Sequence, residues 1–361
     1  MTGQTGRQHR QDSTPAGQRT AGQRGAWVAS HIVAGRQVRR RGAPKITALG
    51  GGQGLAASLR ALRRLTGDLT AVVTVADDGG SSGRLRAELG VLPPGDLRKA
   101  LAALCGDDDW GRTWSEVIQH RFQSDGDLHG HAVGNLLIVA LWEKLGDPVE
   151  ALAYVGTLLG AQGRVLPMSS VPLDIEASVR GVDPAEPERL DTVRGQAKVA
   201  VTPGEVESVR LLPQDPPAVP EAVAAVRDAD WVVLGPGSWF TSVLPHLLVP
   251  DLRDALVGTR ARKVLALNLV AQPGETEGFS PQRHLEVLEA HAPELTVDVV
   301  LANRATVADP EALRSAAKRL GAELALDNVA APDGSPRHDP ELLAAAYDRI
   351  FRTHGRIAPW R

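Results

Sequence analysis

A strand, a glycine-rich turn, a helix and a second strand follow one another within about 30 residues, and few folds accept that order. Residues 45–49 read as a strand and Gly50–Gly54 form a tight loop. Leu55, Leu59, Leu62 and Leu65 then place one apolar face on a helix. Residues 70–75 are rich in β-branched side chains and end in the polar run Asp77, Asp78, Gly79, Gly80, Ser81, Ser82, Gly83. This is the pattern of a parallel βαβ unit, whose strands need a crossover helix between them.

The pattern is interrupted and then resumes. Helical periodicity predicts helices at 95–105, 110–121 and 131–145. Between 163 and 212 short strand-like runs around Val165, 173–179, 198–201 and 206–212 are separated by Pro, Gly and Asp, which predicts a small β-rich insertion. Beyond it come a helix at 220–227, a strand at 231–234, a helix at 242–257 and a strand at 263–269. A helix at 281–291, a strand at 297–301, a helix at 310–320, a strand at 323–326 and a helix at 339–351 follow. The expected architecture is α/β, a Rossmann-like doubly wound, mainly parallel sheet of about six strands, forming a single domain over 45–351.

Charge separates the ends from this domain. Residues 1–44 hold eight arginines and one acid, Asp12, so a segment near +7 is joined to a remainder near −10 in a chain of net charge −3. With no apolar periodicity it reads as a disordered basic tail, and 352–361 as a C-terminal tail. The overall balance argues against nucleic acid as a partner. No run of about 18 apolar residues exists to span a membrane. A single cysteine, Cys105, excludes a disulfide framework and a multi-cysteine metal site, and the expected location is the cytoplasm.

Candidate chemistry sits at the C-terminal ends of the predicted strands, where open α/β sheets bind ligands. Gly51, Gly52, Gln53 and Gly54 open a helix, so backbone can approach a phosphate and the helix N-terminus offers amides and a positive dipole end. Gly52–Ala57 also satisfies the dinucleotide pattern G-x-G-x-x-A, and Asp77 lies near the spacing of a ribose-binding acid. Asp77 or Asp78 suits a ribose or a Mg²⁺, and Ser81, Ser82 and Arg84 suit phosphate oxygens; the bland alternative is a polar turn with an Asp helix cap. Gly235, Gly237 and Ser238 repeat the design after a later strand, with Ser238 placed to cap the next helix. Asn135 puts an amide at the start of an apolar helix, facing a cleft or capping. His129 and His131 lack a third metal ligand in sequence.

Seven blocks of the chain carry a resemblance. They are Ala48–Leu55, Val73–Leu85, Leu92–Arg98, Gly130–Leu136, Gly163–Pro167, Leu234–Ser238 and Gln272–Thr276. In this order over about 45–350 they resemble the YvcK family, the gluconeogenesis factors, a branch of the CofD-like superfamily. The resemblance implies a Rossmann-like fold, binding of UDP-sugars such as UDP-N-acetylglucosamine, and a role in cell shape and cell-wall (peptidoglycan) synthesis during gluconeogenic growth. The wider superfamily implies transfer of a phospholactyl or phosphoenolpyruvyl group from a guanylyl donor to a deazaflavin with Mg²⁺, held in that case by Asp78. Gln53 stands where the family often has Thr, so an amide replaces a hydroxyl. Arg337, in Arg337–Asp339, matches a family arginine implicated in UDP-sugar binding.

Three functions follow. A UDP-sugar-binding regulator is first, with cell-wall synthesis proteins or a homo-oligomer as partners and no required cofactor. A deazaflavin-type transferase is second; the Pro93–Asp96 and Gly237–Ser238 blocks resemble the regulator branch instead. An NAD-binding oxidoreductase is third, resting on the glycine pattern and Asp77 alone.

Overall fold

The computed structural model describes residues 43–272 and 274–354. The basic segment up to residue 42 and the tail from 355 lie outside the described residues. Parallel strands form the centre: β1 Ile46–Gly50, β2 Leu69–Val73, β3 Arg164–Pro167, β7 Trp231–Leu234, β8 Arg262–Ala266, β9 Val299–Asn303 and β10 Glu323–Asp327. Their order is β10-β9-β8-β7-β1-β2-β3, a seven-stranded sheet among the described residues. β1, β2, β7 and β9 are buried along their whole length, which explains why they read as continuous apolar runs without alternation.

Three expectations are corrected. The sheet has seven strands rather than about six, because Arg164–Pro167 pairs with β2 as an edge strand of the main sheet. The insertion is consequently shorter than 163–212. It is an antiparallel sheet of β4 Asp174–Arg180, β5 Leu190–Arg194 and β6 Glu205–Leu212, in the order β5-β4-β6. β5 alternates between exposed and half-buried residues and has no fully buried one, so its sequence carries no apolar signal. Finally, 198–201 is no strand: Gln196–Val199 is a single helical turn.

Helices flank the sheet. They are α1 Gly52–Leu62, α2 Gly80–Leu89, α3 Pro94–Leu104, α4 Asp109–Gln119, α5 Val133–Leu145 and α6 Pro148–Leu159. After the turn at Gln196–Val199, here α7, come α8 Pro220–Arg227, α9 Pro250–Gly258, α10 Pro281–His291, α11 Pro310–Arg319 and α12 Pro340–His354. α2 and α6 were not expected. α2 has a mean composition too polar for an apolar stripe, with Ser81, Ser82 and Leu85 its buried residues. The helix expected at 242–257 divides into a π-helical turn, Trp239–Val243, a 3₁₀ turn, Leu244–Leu247, and α9, because Pro245 and Pro250 each remove a helix hydrogen bond. α12 runs to His354, past the expected end at 351.

The last helix is tied to the first by hydroxyls. Ser58 of α1 donates to the Gly235 carbonyl at 3.1 Å, which leaves its oxygen to accept from the fully buried Tyr347 hydroxyl at 2.8 Å. Tyr347→Phe removes that donor and leaves the buried Ser58 oxygen without one, and an expected loss of about 1–3 kcal/mol is measurable by urea unfolding.

His246 supplies a pH dependence. It is fully buried, its Nε2 donates to the Val72 carbonyl at 3.1 Å, and burial pushes its pKa down to about 4. The unfolded chain, near 6.5, binds this proton first, so stability is complete above about pH 6.5 and falls as pH drops towards 4. The expected loss across that window is on the order of 3 kcal/mol, from about 1.4 kcal/mol per pKa unit. Unfolding midpoints at pH 7 and pH 4.5 should show it, and His246→Gln should reduce the difference, the remainder coming from His338, which burial also pushes down to about 4.

Candidate functional site

The strand order places the chain reversal between β1 and β7. Leu49 and Leu234 are register partners there, and the Gly235 amide donates to the Leu49 carbonyl at 3.1 Å. The two glycine loops predicted from sequence therefore leave adjacent strands side by side. They also touch. A Cβ on Gly54 would fall deep inside the Pro236 carbonyl and Gly237 Cα, so only glycine lets the backbones meet. Gly52 differs: its φ of +60° needs glycine, but a Cβ there would meet nothing within 4 Å. It faces open space, as does the exposed side chain of Gln53.

An acid from α3 occupies the first of the helix amides. Asp96, buried, accepts from the Gly52 amide at 2.9 Å and from Lys99 Nζ at 2.8 Å. Gly51 exists for the same contact, since a Cβ there would stand 2.7 Å from the Asp96 carboxylate and 3.1 Å from Ser242 Oγ. The Gly52 amide, one of those the sequence offers to a phosphate, is thereby taken by a side chain of the protein itself. Asp77 lies in the same cluster. It accepts from the Gly79 amide at 3.0 Å, and Gly95 is hemmed between the Asp77 carboxylate and the Ser82 hydroxyl. Burial, and then the charge of Asp96, raises the Asp77 carboxyl pKa, opposed by the Gly79 amide, Ser82 and Lys99.

Ser81 organises the next layer. Its hydroxyl accepts from Asn135 Nδ2 at 3.0 Å and from the Ala132 amide at 3.3 Å. Its one proton therefore goes to His131 Nδ1 at 3.0 Å, which requires the neutral ring with hydrogen on Nε2. Burial and then the Arg84 charge lower the His131 pKa, consistent with that tautomer. On the other flank, Asn268 clamps the second glycine loop, accepting from the Gly237 amide at 2.9 Å and donating to its carbonyl at 2.8 Å. Gln272 donates to Ser238 Oγ at 3.2 Å. Ser238 makes no side-chain cap, because that hydroxyl is drawn to the loop after β8.

The other predicted residues are placed elsewhere. Asp78 caps α7, accepting from the Ala197 amide at 2.8 Å, and so fastens the small sheet to the main one. Arg84 donates to the carbonyls of Asp127 and His129, at 3.0 and 2.6 Å, away from the glycine loops. Arg337 is exposed and pairs with Asp333 at 2.8 Å. Its neighbour His338 hydrogen-bonds the Leu267 backbone, which brings this loop from β10 back to the end of β8. His129 and His131 gain no third ligand, and among the described residues no group of three His, Cys, Asp or Glu is arranged to hold a metal. Cys105 is buried and its thiol is pushed up to about 11, hence inert.

Three contributors were not singled out individually from sequence: Asp96, Asn268 and Gln272. Asp96 left a signal, an acid just inside an apolar helix after Pro94 and Gly95. Gln272 left only its place in the Gln272–Thr276 block, and Asn268 left none, since both depend on where the β8 loop lands. The loop contact itself is testable. Gly54→Ala is expected to cost about 3 kcal/mol, the upper end of overpacking, because backbone must move. Gly52→Ala should cost about 1 kcal/mol of left-handed strain. Equal urea midpoints for Gly54→Ala and wild type would contradict the contact.

Comparison with known proteins agrees with this arrangement. A family model described as 2-phospho-L-lactate transferase CofD matches residues 46–334. A Mycobacterium tuberculosis protein named "Putative gluconeogenesis factor" is 57% identical over 308 residues, 84% of this chain and 90% of its own. The Bacillus subtilis "Gluconeogenesis factor" is 38% identical over 266 residues, 74% of this chain and 80% of its own. A crystal structure of a UPF0052 family member from Bacillus halodurans has a TM-score of 0.74 at 33% identity, covering 83% of this chain and 97% of that one. With its βαβ core, glycine loops and α3 acid all inside the matched region, this chain belongs to the CofD family, in the branch whose members are named gluconeogenesis factors.

Proposed function

We propose that the protein is a cytoplasmic UDP-sugar-binding regulator, with UDP-N-acetylglucosamine or a close relative as ligand, acting on cell shape and cell-wall synthesis during gluconeogenic growth. The observation that supports it best is the meeting of the two glycine loops at the β1–β7 reversal. From there hydrogen bonds link Ser238, Gln272 and Asn268, and the His338–Leu267 bond brings the Arg337 loop to the same edge of the sheet. The end of β8 is two strands from β1, about 10 Å at ordinary strand spacing. A nucleotide diphosphate sugar is long enough to bridge that interval, its phosphates over the amides of Gln53 and Gly54 and its charge also within reach of Arg337 once that side chain leaves Asp333. The exposed Arg337–Asp333 pair costs little to open.

Calorimetry with UDP-N-acetylglucosamine tests this. Arg337→Ala is expected to weaken binding by roughly 1.5–3 kcal/mol, the range for hydrogen bonds to charged groups, with unliganded stability unchanged. Affinity within twofold of wild type would remove Arg337 from the site, and no binding by wild type would remove the reading.

A second reading, a deazaflavin-type transferase, is favoured by the CofD family match and by the closeness of Asp77 and Asp96 at the reversal. Mg²⁺ is commonly held by one or two carboxylates with substrate phosphates and water. Asp77 and Asp96 would be the residues to hold it, rather than Asp78, which caps α7. Product formed by wild type from a guanylyl phospholactate or phosphoenolpyruvate donor, a deazaflavin and Mg²⁺ would favour this reading over the first.

A further inference from the structure

We propose that Arg98 and Asn135 form a subsite for a phosphate ester bearing a neighbouring hydroxyl, the sugar-phosphate part of the ligand; this rests on reading the cleft as a site for phosphorylated ligands. Arg98 belongs to α3, two residues from Asp96, and is 4% exposed. Its Nε and Nη1 have no hydrogen-bond partner. A buried guanidinium with unpaired donors is costly, and stability alone does not account for it. The nearby Asp96 and Asp77 favour its charge through space but leave Nε and Nη1 without a hydrogen bond. Asp96 is engaged by Lys99 and the Gly52 amide, and Asp77 by the Gly79 amide and Ser82. The Arg121 charge, a like one, opposes them. Burial lowers the Arg98 pKa to about 10, which still leaves the group charged at neutral pH.

Asn135 presents the complementary need. It is 1% exposed, its Nδ2 is used on Ser81, and its Oδ1 has no partner. The residue before it, Gly134, presses on the Arg98 stem: a Cβ there would come within 2.8 Å of Arg98 Cγ. Glycine at 134 thus lets the first turn of α5 close on the Arg98 stem, one residue before the side chain that carries the second orphaned group. Arg98 wants an acceptor, preferably an anion, and Asn135 Oδ1 wants a donor. Inorganic phosphate as the dianion serves the first far better than the second. A sugar phosphate, with a hydroxyl beside the charged oxygens, serves both.

Thermal unfolding of the full chain in inorganic phosphate, glucose 1-phosphate or chloride at matched ionic strength tests this. Wild type is expected to gain several degrees in phosphate and more in glucose 1-phosphate. Arg98→Met should abolish both gains while its unliganded Tm stays level or rises, because an unpaired buried charge is gone. Asn135→Ala should keep the phosphate gain and lose the extra gain from glucose 1-phosphate. If Arg98→Met does not fold, Arg98→Lys, which keeps the charge without the planar fork, should show a reduced gain. No response by wild type, or wild-type gains in the Arg98 variants, overturns the proposal. Lower unliganded Tm in both variants with gains intact means an internal water bridges the pair, and also overturns it. Titration with UDP-N-acetylglucosamine separates the two levels. Unchanged affinity in Arg98→Met sinks this subsite and leaves the proposed function standing. An Arg98-dependent response to glucose 1-phosphate, with no UDP-sugar binding, does the reverse.

Discussion

The contact of Gly54 with Pro236 and Gly237 is the constraint on which the site depends. Parallel strands deliver every βα loop to the same edge of the sheet, but only at a reversal do two such loops leave neighbouring strands without a helix between them. Here β1 and β7 are those strands. Close packing of their loops requires one residue without a side chain, and Gly54 supplies it. Ser58, one turn further along α1, then bonds the Gly235 carbonyl and receives Tyr347 from the last helix. The two halves of the sheet and the last helix are thus locked at the two glycine loops.

Around that contact the polar groups divide into satisfied and waiting ones. Asp96, Lys99, Asp77, Ser81 and Asn268 are bound into hydrogen bonds that fix loop shape. Arg98 and Asn135 Oδ1 are buried and unpartnered. In a low-dielectric interior the first kind rigidifies and the second is costly. The exposed Arg337 stands at the other extreme, in water and paired with Asp333, where it loses little by moving.

The small antiparallel sheet acts on the site by position. Asp78 reaches from the loop after β2 to cap α7, and Gly274 lies so close to Ala200 that a side chain could not be accommodated. Arg86 donates to the Leu173 carbonyl at 2.9 Å and pairs with Asp174 at the entry to β4. The insertion is thereby held against the loops after β2 and β8.

The βαβ order, both glycine loops, the acids after β2 and the interruption near the middle of the chain were all legible in the sequence. Each is local: apolar runs in β1 and β7 and turn residues after them report on their own backbone. The failures share the opposite property. β5, with no fully buried face, and α2, with only three buried residues, give little periodic signal. Ser238 carries a capping residue's chemistry, yet Gln272 takes its hydroxyl. Asp78 looked like a ligand to ribose or metal, and a helix turn 119 residues away claimed it. The sequence by itself determined the strand and helix order and the glycine backbone of the cleft, because steric freedom and apolar burial are written residue by residue. The tertiary structure alone decided which polar side chains are spent and which are left over, because a hydrogen bond is settled by whichever partner the fold brings within about 3 Å.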